Sequence, residues 1–453
     1  MGRGYIVEEC VEKYLTNLSA AAGSCETGLF IGQCSAQRDF VVLAVRTPHR
    51  ETEGAAESQR TLSSLDNIDV EWVAEHARQV SRMLPGGLSV LGLFLIAPPE
   101  VSKEAQNTLK KLVFSVDKSI SKSKLWDLSE DDVTERITLH ICSKTRKAVC
   151  KTFDVKDPKC SAKPADWRYQ SGISSSWPLI TCSVQLDLQI PVTSENVDES
   201  IKDGLRMWAK QIEAALCLIN GKAVTDDSEL LLGPKKSTKA SQQQTVQAQL
   251  LILTDADAGQ MSSAVVQECS GSVCVRGAVH CRAYIHTNKP KTRHAAQLNT
   301  VCLTSAIKRD VVNTVFSRVE MLLEDLLMSE AADLACGQPD LPRRVFAPLS
   351  GSGLSVCDYI FPDESTADVA ERFKEMLGCD LSEGDVDTSM EAQTCFSVLG
   401  VEDGCDEEAT QVPTQSSAET VPKKNAAIQY AGMAVAAAVA LLATATSLLY
   451  LTE

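Results

Sequence analysis

Apolar positions in the first 125 residues follow two periods. Val11, Leu15 and Leu18 are spaced for one face of a helix, and Gly28-Leu29-Phe30-Ile31-Gly32 predicts a short strand bounded by glycines. Phe40 to Val45 predicts a second strand, ended by Pro48, and the polar stretch His49 to Ser64 a loop. Val73, Ala77, Val80 and Leu84 fall on one face of a helix over Glu71 to Leu84, stopped by Pro85-Gly86-Gly87. Leu88 to Ile96 is a continuous apolar run of strand length. Val101, Ala105, Leu109, Leu112 and Val116 then give a second amphipathic helix. At 14 residues, Leu84 to Ala97 is too short to cross a bilayer.

The pattern repeats twice as strands followed by a helix. In 134–232, strands are predicted at Ile137 to Cys142, Ala148 to Val155 and Thr181 to Ile190. A helix carries Ile201, Leu205, Trp208, Ile212, Leu216 and Ile219 on one face. In 245–330, strands are predicted at Gln249 to Thr254, Ser272 to Val275 and Cys281 to Ile285. The helix there shows Ile307, Val311, Val315, Val319, Leu322 and Leu326. Gly233 to Gln244 reads as a linker, and 331–350, with three prolines, as irregular.

Charge changes the picture only at the C-terminal side. The net charge is −16, and Asp363 to Glu419 holds 16 acidic and two basic residues. The rest is near neutral and offers no basic nucleic-acid footprint. Residues 363–422 are therefore expected to be a disordered linker, with Val369 to Leu377 able to fold on binding. From Ala426 to Leu451 no side chain is charged. Those 26 residues make about 39 Å of helix, against about 30 Å of hydrocarbon. Tyr430 and Tyr450 are spaced to reach the two headgroup boundaries, and Lys423 and Lys424 place the preceding side in the cytosol. Gly432, Ala436 and Ala440 form a small-residue stripe. Met1 to Leu15 has no apolar signal region. The expectation is a tail-anchored protein with its body in the cytosol, where the sequon Asn17-Leu18-Ser19 stays unused. The 17 cysteines, odd in number and scattered, are expected to be reduced thiols.

The first module resembles an MPN (JAMM) domain, the fold of zinc isopeptidases that remove ubiquitin-like modifiers. Gly28 and Gly32 match its glycine pair. Val90 to Pro98 matches the strand that should end in His-x-His-Pro. The resemblance places the metal ligands at Leu95, Ala97 and Thr108, the family's serine at Ala105, and the general base at Cys25, one residue from Glu26. Zinc needs at least three N, O or S ligands, so the module is expected to be catalytically dead, without cofactor or stoichiometric metal, and to pair with another MPN domain.

Three other constellations carry residue types used in catalysis. His280 and His286 read as ordinary histidines. His140 and Cys142 face one side of a hairpin, with Cys150 the third member of an imagined Cys/His site. Gly351-Ser352-Gly353 lacks the context of a nucleophile elbow.

Gly4 to Glu9, Gln79 to Leu88, Asp157-Pro158 with Lys163 to Trp167, Arg282 to His286, Glu320 to Leu326, and the C-terminal segment form runs along the whole chain that resemble the family of odorant-response-abnormal protein 4 homologues. His294 to Ser305 looks like an insertion. The resemblance implies a membrane protein of the endoplasmic reticulum that assists a subset of G-protein-coupled receptors. It also implies a partner, the ubiquitin-fold-modifier-specific protease. The expected architecture is α+β: an inactive MPN-like module (1–125), α+β units at 134–232 and 245–330, an acidic linker (363–422) and a transmembrane helix (426–451). The expected function is that of a non-enzymatic adaptor. The alternatives are a hydrolase with an unrecognised Cys/His site, or a receptor chaperone acting through its span.

Overall fold

Two sheets organise the chain. The structure, a computed structural model, describes residues 2–21, 25–36, 38–50, 65, 68–126, 132–193, 197–223, 229–232, 243–252, 271–286, 296–328, 340–391 and 394–400. The first sheet is built from β1 (Gly4–Glu8), β2 (Glu26–Gln33), β3 (Arg38–Arg46), β4 (Ser89–Ala97), β5 (Glu135–Cys142) and β6 (Ala148–Asp154). Between them lie helices α1 (Glu9–Ala21), α2 (Val70–Arg82) and α3 (Ser102–Lys122). Two short strands follow one residue apart, β7 (Lys163–Pro164) and β8 (Asp166–Gln170). The strand order is β7-β6-β5-β4-β2-β3-β1-β8. One stretch of chain thus pairs antiparallel with β6 at one end and parallel with β1 at the other, which closes the sheet into a barrel.

Alternation along the strands sorts the side chains. Tyr5, Phe30, Phe94, Ile137 and Leu139 pack together with Val11 and Leu15 of α1. Trp167 joins them, its ring 5.0 Å from that of Phe30. Leu93, Leu95 and Ala97 point the other way, onto Val73, Ala77 and Val80 of α2 and Leu109 and Leu112 of α3. Asp69 caps α2 by accepting from the Glu71 and Trp72 backbone N–H groups.

The second sheet has the order β11-β10-β13-β9-β14-β19-β16. Its strands are β9 (Leu179–Val192), β10 (Leu216–Ile219), β11 (Lys222–Ala223), β13 (Thr245–Leu251), β14 (Gly271–Tyr284), β16 (Asp340–Leu341) and β19 (Thr394–Gly400). β9 and β14 pair over 14 residues. Their shared apolar face packs on α4 (Val197–Ala214) and α5 (Thr300–Met328). β12 (Glu229–Leu232) pairs with β15 (Ala296–Asn299), and β17 (Arg343–Pro348) with β18 (Ser355–Ile360). Helix α6 (Thr366–Leu377) carries a capping box at Ser365 and Asp368 and ends at Gly378 in the left-handed region.

The α+β class, the predicted helices of the first module and the order helix, glycine-pair strand, strand, helix, strand are all met. Several expectations are corrected. The unit drawn at 134–232 is divided: β5 to β8 belong to the barrel and β9 to β11 to the second sheet, which also takes β13 and β14 of the unit drawn at 245–330, while β12 and β15 pair with each other. Leu216 and Ile219 lie on β10, because the helix stops at Ala214. Strands predicted at 272–275 and 281–285 are one continuous β14. The region 331–350 contains β16 and β17. The acidic linker drawn at 363–422 is folded as far as it is described. Val369, Phe373 and Leu377 of α6 are buried in the chain's own core, which supplies the apolar partner that local composition does not reveal. Residues 401–422 lie outside the described residues, as does the predicted span 426–451 with Lys423, Lys424, Tyr430, Gly432, Ala436, Ala440 and Tyr450. Most of the predicted 49–64 loop and 233–244 linker does too. Among the described residues no helix is long and apolar enough to cross a membrane.

Candidate functional site

Leu95 and Ala97 stand on β4 and Ala105 on the facing side of α3, and the fold brings the three into one cluster. Each is fully buried. The place where the MPN resemblance calls for a metal is thus filled by methyl and isobutyl groups. Thr108 sits on the half-exposed side of α3, its hydroxyl donating to the Glu104 carbonyl at 3.4 Å. Cys25 is buried in the same apolar cluster, and burial pushes its thiol up. Among the described residues no group of three His, Cys, Asp or Glu side chains is placed to hold a metal ion.

The other candidates are separated by the strands that carry them. His140 is paired with Val149, and Cys150 with Leu139. Directly paired residues share a face, so Cys150 points to the opposite side of the sheet from His140 and Cys142. Burial lowers His140 and raises Cys150, to about 12, leaving both neutral. Ser352 lies in the β17–β18 turn and donates to the Leu349 carbonyl at 2.9 Å. His286 stacks on Phe40 with ring centroids 3.8 Å apart. The backbone N–H of His280 donates to Glu391 Oε1 at 2.6 Å. Both histidines are enclosed by packing.

The polar chemistry of the molecule lies elsewhere. Arg344, on β17, makes a two-pronged contact with Asp310 of α5, Nη1 to Oδ2 at 2.7 Å and Nη2 to Oδ1 at 2.9 Å. Burial works against the Arg344 charge, but Asp310 outweighs it and the guanidinium is held well above its ordinary value. Arg318 Nη2 and the Arg344 backbone N–H both donate to Glu391, and the Arg282 backbone N–H donates to Asp310 at 3.0 Å. These side chains are almost fully enclosed. They tie α5, β14, β17 and the segment after α6 together. Sequence reasoning missed them: Arg318 occupies one position in a helix and Arg344 is the second of two arginines after Pro342, and neither position signals burial.

The runs that carry the family resemblance converge on two seams. Gly4 of β1 pairs with Asp166 of β8 where the barrel closes. At the second seam the barrel meets the second sheet. The Gly86 N–H donates to the Arg282 carbonyl at 2.8 Å, and the Tyr284 N–H to the Gly86 carbonyl at 2.9 Å. Gln33 Nε2 donates to the Tyr284 carbonyl at 2.7 Å, while its Oε1 accepts from the His286 N–H at 2.5 Å. Arg82 of α2 reaches Glu320 at 2.5 Å and Glu324 at 3.2 Å on α5. Helix α2 is therefore covered by α3, α5 and α6. Only Glu71 on it is fully exposed, so it offers no broad free face to a partner.

A family model for odorant response abnormal 4-like (ODR4-like) proteins matches residues 28–388. The mouse protein odr-4 homolog is 44% identical, covering all of both chains. The human protein odr-4 homolog is 46% identical over 88% of each. The odorant response abnormal protein 4 of Caenorhabditis elegans is 22% identical over 75% of this chain and 68% of its own. Among solved structures, UfSP from C. elegans is similar with a TM-score of 0.42 at 7% identity, over 83% of this chain and 56% of that one. That likeness is too distant to bear on function. With a family model spanning most of the chain and relatives above 40% identity along its whole length, the chain belongs to the ODR4-like family.

Proposed function

We propose that this chain is a non-enzymatic adaptor anchored in the endoplasmic-reticulum membrane by residues 426–451, with its body in the cytosol. It holds the ubiquitin-fold-modifier-specific protease at that membrane and assists the folding and delivery of a subset of G-protein-coupled receptors, odorant receptors among them. The observation that supports the non-enzymatic part is the apolar cluster at Leu95, Ala97 and Ala105, the positions that the MPN resemblance assigns to a metal centre. The anchor is supported by the 26 uncharged residues from Ala426 to Leu451, long enough for about 30 Å of hydrocarbon. The receptor role is supported by family membership, since the C. elegans relative is named for an abnormal odorant response. The protease partner is supported by the same family resemblance.

The full chain, purified free of the protease, separates adaptor from enzyme. It is expected to capture the protease in a pull-down, to contain no stoichiometric zinc, and to leave a ubiquitin-fold-modifier conjugate uncleaved. Cleavage by the chain alone, abolished by substitution of His140 or Cys142, would establish the hydrolase instead.

A further inference from the structure

The chain as a whole is acidic, with 60 Asp and Glu against 44 Lys and Arg. Residues 99–163 reverse this, with 14 Lys and Arg against 10 Asp and Glu, and all 14 cations fall in 99–126 and 132–163. They form α3, the β5–β6 hairpin and the loop after it, and the fold gathers them on one side of the barrel. Lys110 Nζ of α3 donates to the Cys160 carbonyl at 2.9 Å. Lys144 of the hairpin turn reaches Glu100 at 2.5 Å, just before α3, and Lys151 of β6 reaches Gln106 of α3.

Lys111, Lys118 and Lys122 stand on the exposed ridge of α3, opposite its buried Leu109, Leu112 and Val116. Arg146 and Lys147 project from the hairpin turn, and Lys156 and Lys159 from the loop after β6. All seven are exposed, and none forms an ion pair among the described residues. Beside Lys118 and Lys122 lies a shallow open depression with Phe114 and Val155 in its lining.

We propose that this lysine-rich side of the barrel rests against the anionic lipid headgroups of the membrane that holds the chain. The inference rests on the anchoring reading above. Two observations select lipid as the occupant. Twelve of the fourteen cations are lysines. Lysine is a hydrated point charge suited to a diffuse, fluid anionic surface, whereas arginine's planar fork suits fixed bidentate sites. The reach is also limited: the 25 residues from 401 to 425 span at most about 85 Å when fully extended. The body therefore stays close to whatever surface residues 426–451 enter. Each lysine near such a leaflet favours contact by roughly fivefold.

The full-length chain is incorporated into vesicles of phosphatidylcholine alone or of phosphatidylcholine with phosphatidylserine. Flotation reads insertion. A membrane-impermeant acylating reagent with mass spectrometry then reads the accessibility of each lysine. Labelling of Lys111, Lys118, Lys122 and Lys147 is expected to slow at least fivefold in the phosphatidylserine vesicles and to recover in high salt, with Lys202 and Lys374 unchanged. Equal labelling in floating vesicles of both kinds overturns the inference alone. Failure to float overturns the anchoring reading and the inference with it. Protection in both vesicle types, lifted when Glu402, Asp403, Asp406, Glu407, Glu408 and Glu419 are replaced by amides, assigns the face to the chain's own acidic segment and also overturns the inference.

Discussion

Asp310 and Arg344 face each other across a two-pronged contact with almost no access to water. Taking away one member of such a pair leaves a buried charge without a partner and costs about 3–5 kcal/mol. Asp310→Ala is expected to lower stability by that amount in chemical denaturation. Adding Arg344→Met should recover much of the loss, because the lone charge goes with it. His76 makes a pH-dependent contribution. Its Nε2–H donates to the Met376 carbonyl at 3.0 Å, its Nδ1 has no partner, and burial pushes its pKa down from 6.5 to about 4. Between those values the unfolded chain binds a proton that the folded chain refuses. Stability is therefore full above pH 6.5 and falls as pH drops toward 4, by roughly 3 kcal/mol for this group. A pH series of denaturation midpoints on His76→Gln should show a shallower slope across that window than the parent chain.

At the scale of elements, the glycine pair that suggested an MPN module has a packing explanation. A Cβ on Gly28 would lie 2.1 Å from the Val45 carbonyl oxygen and 2.3 Å from the Phe94 ring. On Gly32 it would lie 1.8 Å from the Phe40 carbonyl oxygen. Both neighbouring strands press too closely on β2 for a side chain at either position. Gly28→Ala is expected to cost about 3 kcal/mol, by overpacking a strand bonded on both sides, and thermal melting of the variant reads it. Local periodicity made α2, α3 and β2 to β6 legible, since each is contiguous and shows one apolar face or run. It failed at Leu216 and Ile219, where apolar spacings of 4 and then 3 continue from the helix into a strand without a break. It failed again at α6: composition called 363–422 too acidic to fold, while Val369 and Phe373 find their partners in the barrel's outer core.

The whole molecule is where sequence reasoning reached least far. Barrel closure depends on Lys163 to Gln170 pairing with β6 on one side and β1 on the other, contacts up to about 160 residues apart in sequence. No local pattern encodes such pairings, and the strands there are short and mostly exposed. Leu95, Ala97 and Ala105, singled out in the sequence only through the MPN resemblance, stand together in the core, a grouping that no local pattern states. The family runs were legible as motifs, but their work at the two seams emerges only from the fold. The proposed adaptor role requires that the folded body, locked at both seams, bind its partner without residues 426–453. The most direct measurement is fractionation with co-precipitation of the chain lacking residues 426–453, beside the full chain. The account predicts that the shortened chain leaves the membrane fraction, keeps the ubiquitin-fold-modifier-specific protease bound, and carries it into the soluble fraction. If the shortened chain is soluble and folded but no longer binds the protease, membrane-embedded contacts carry the complex and the adaptor account is contradicted.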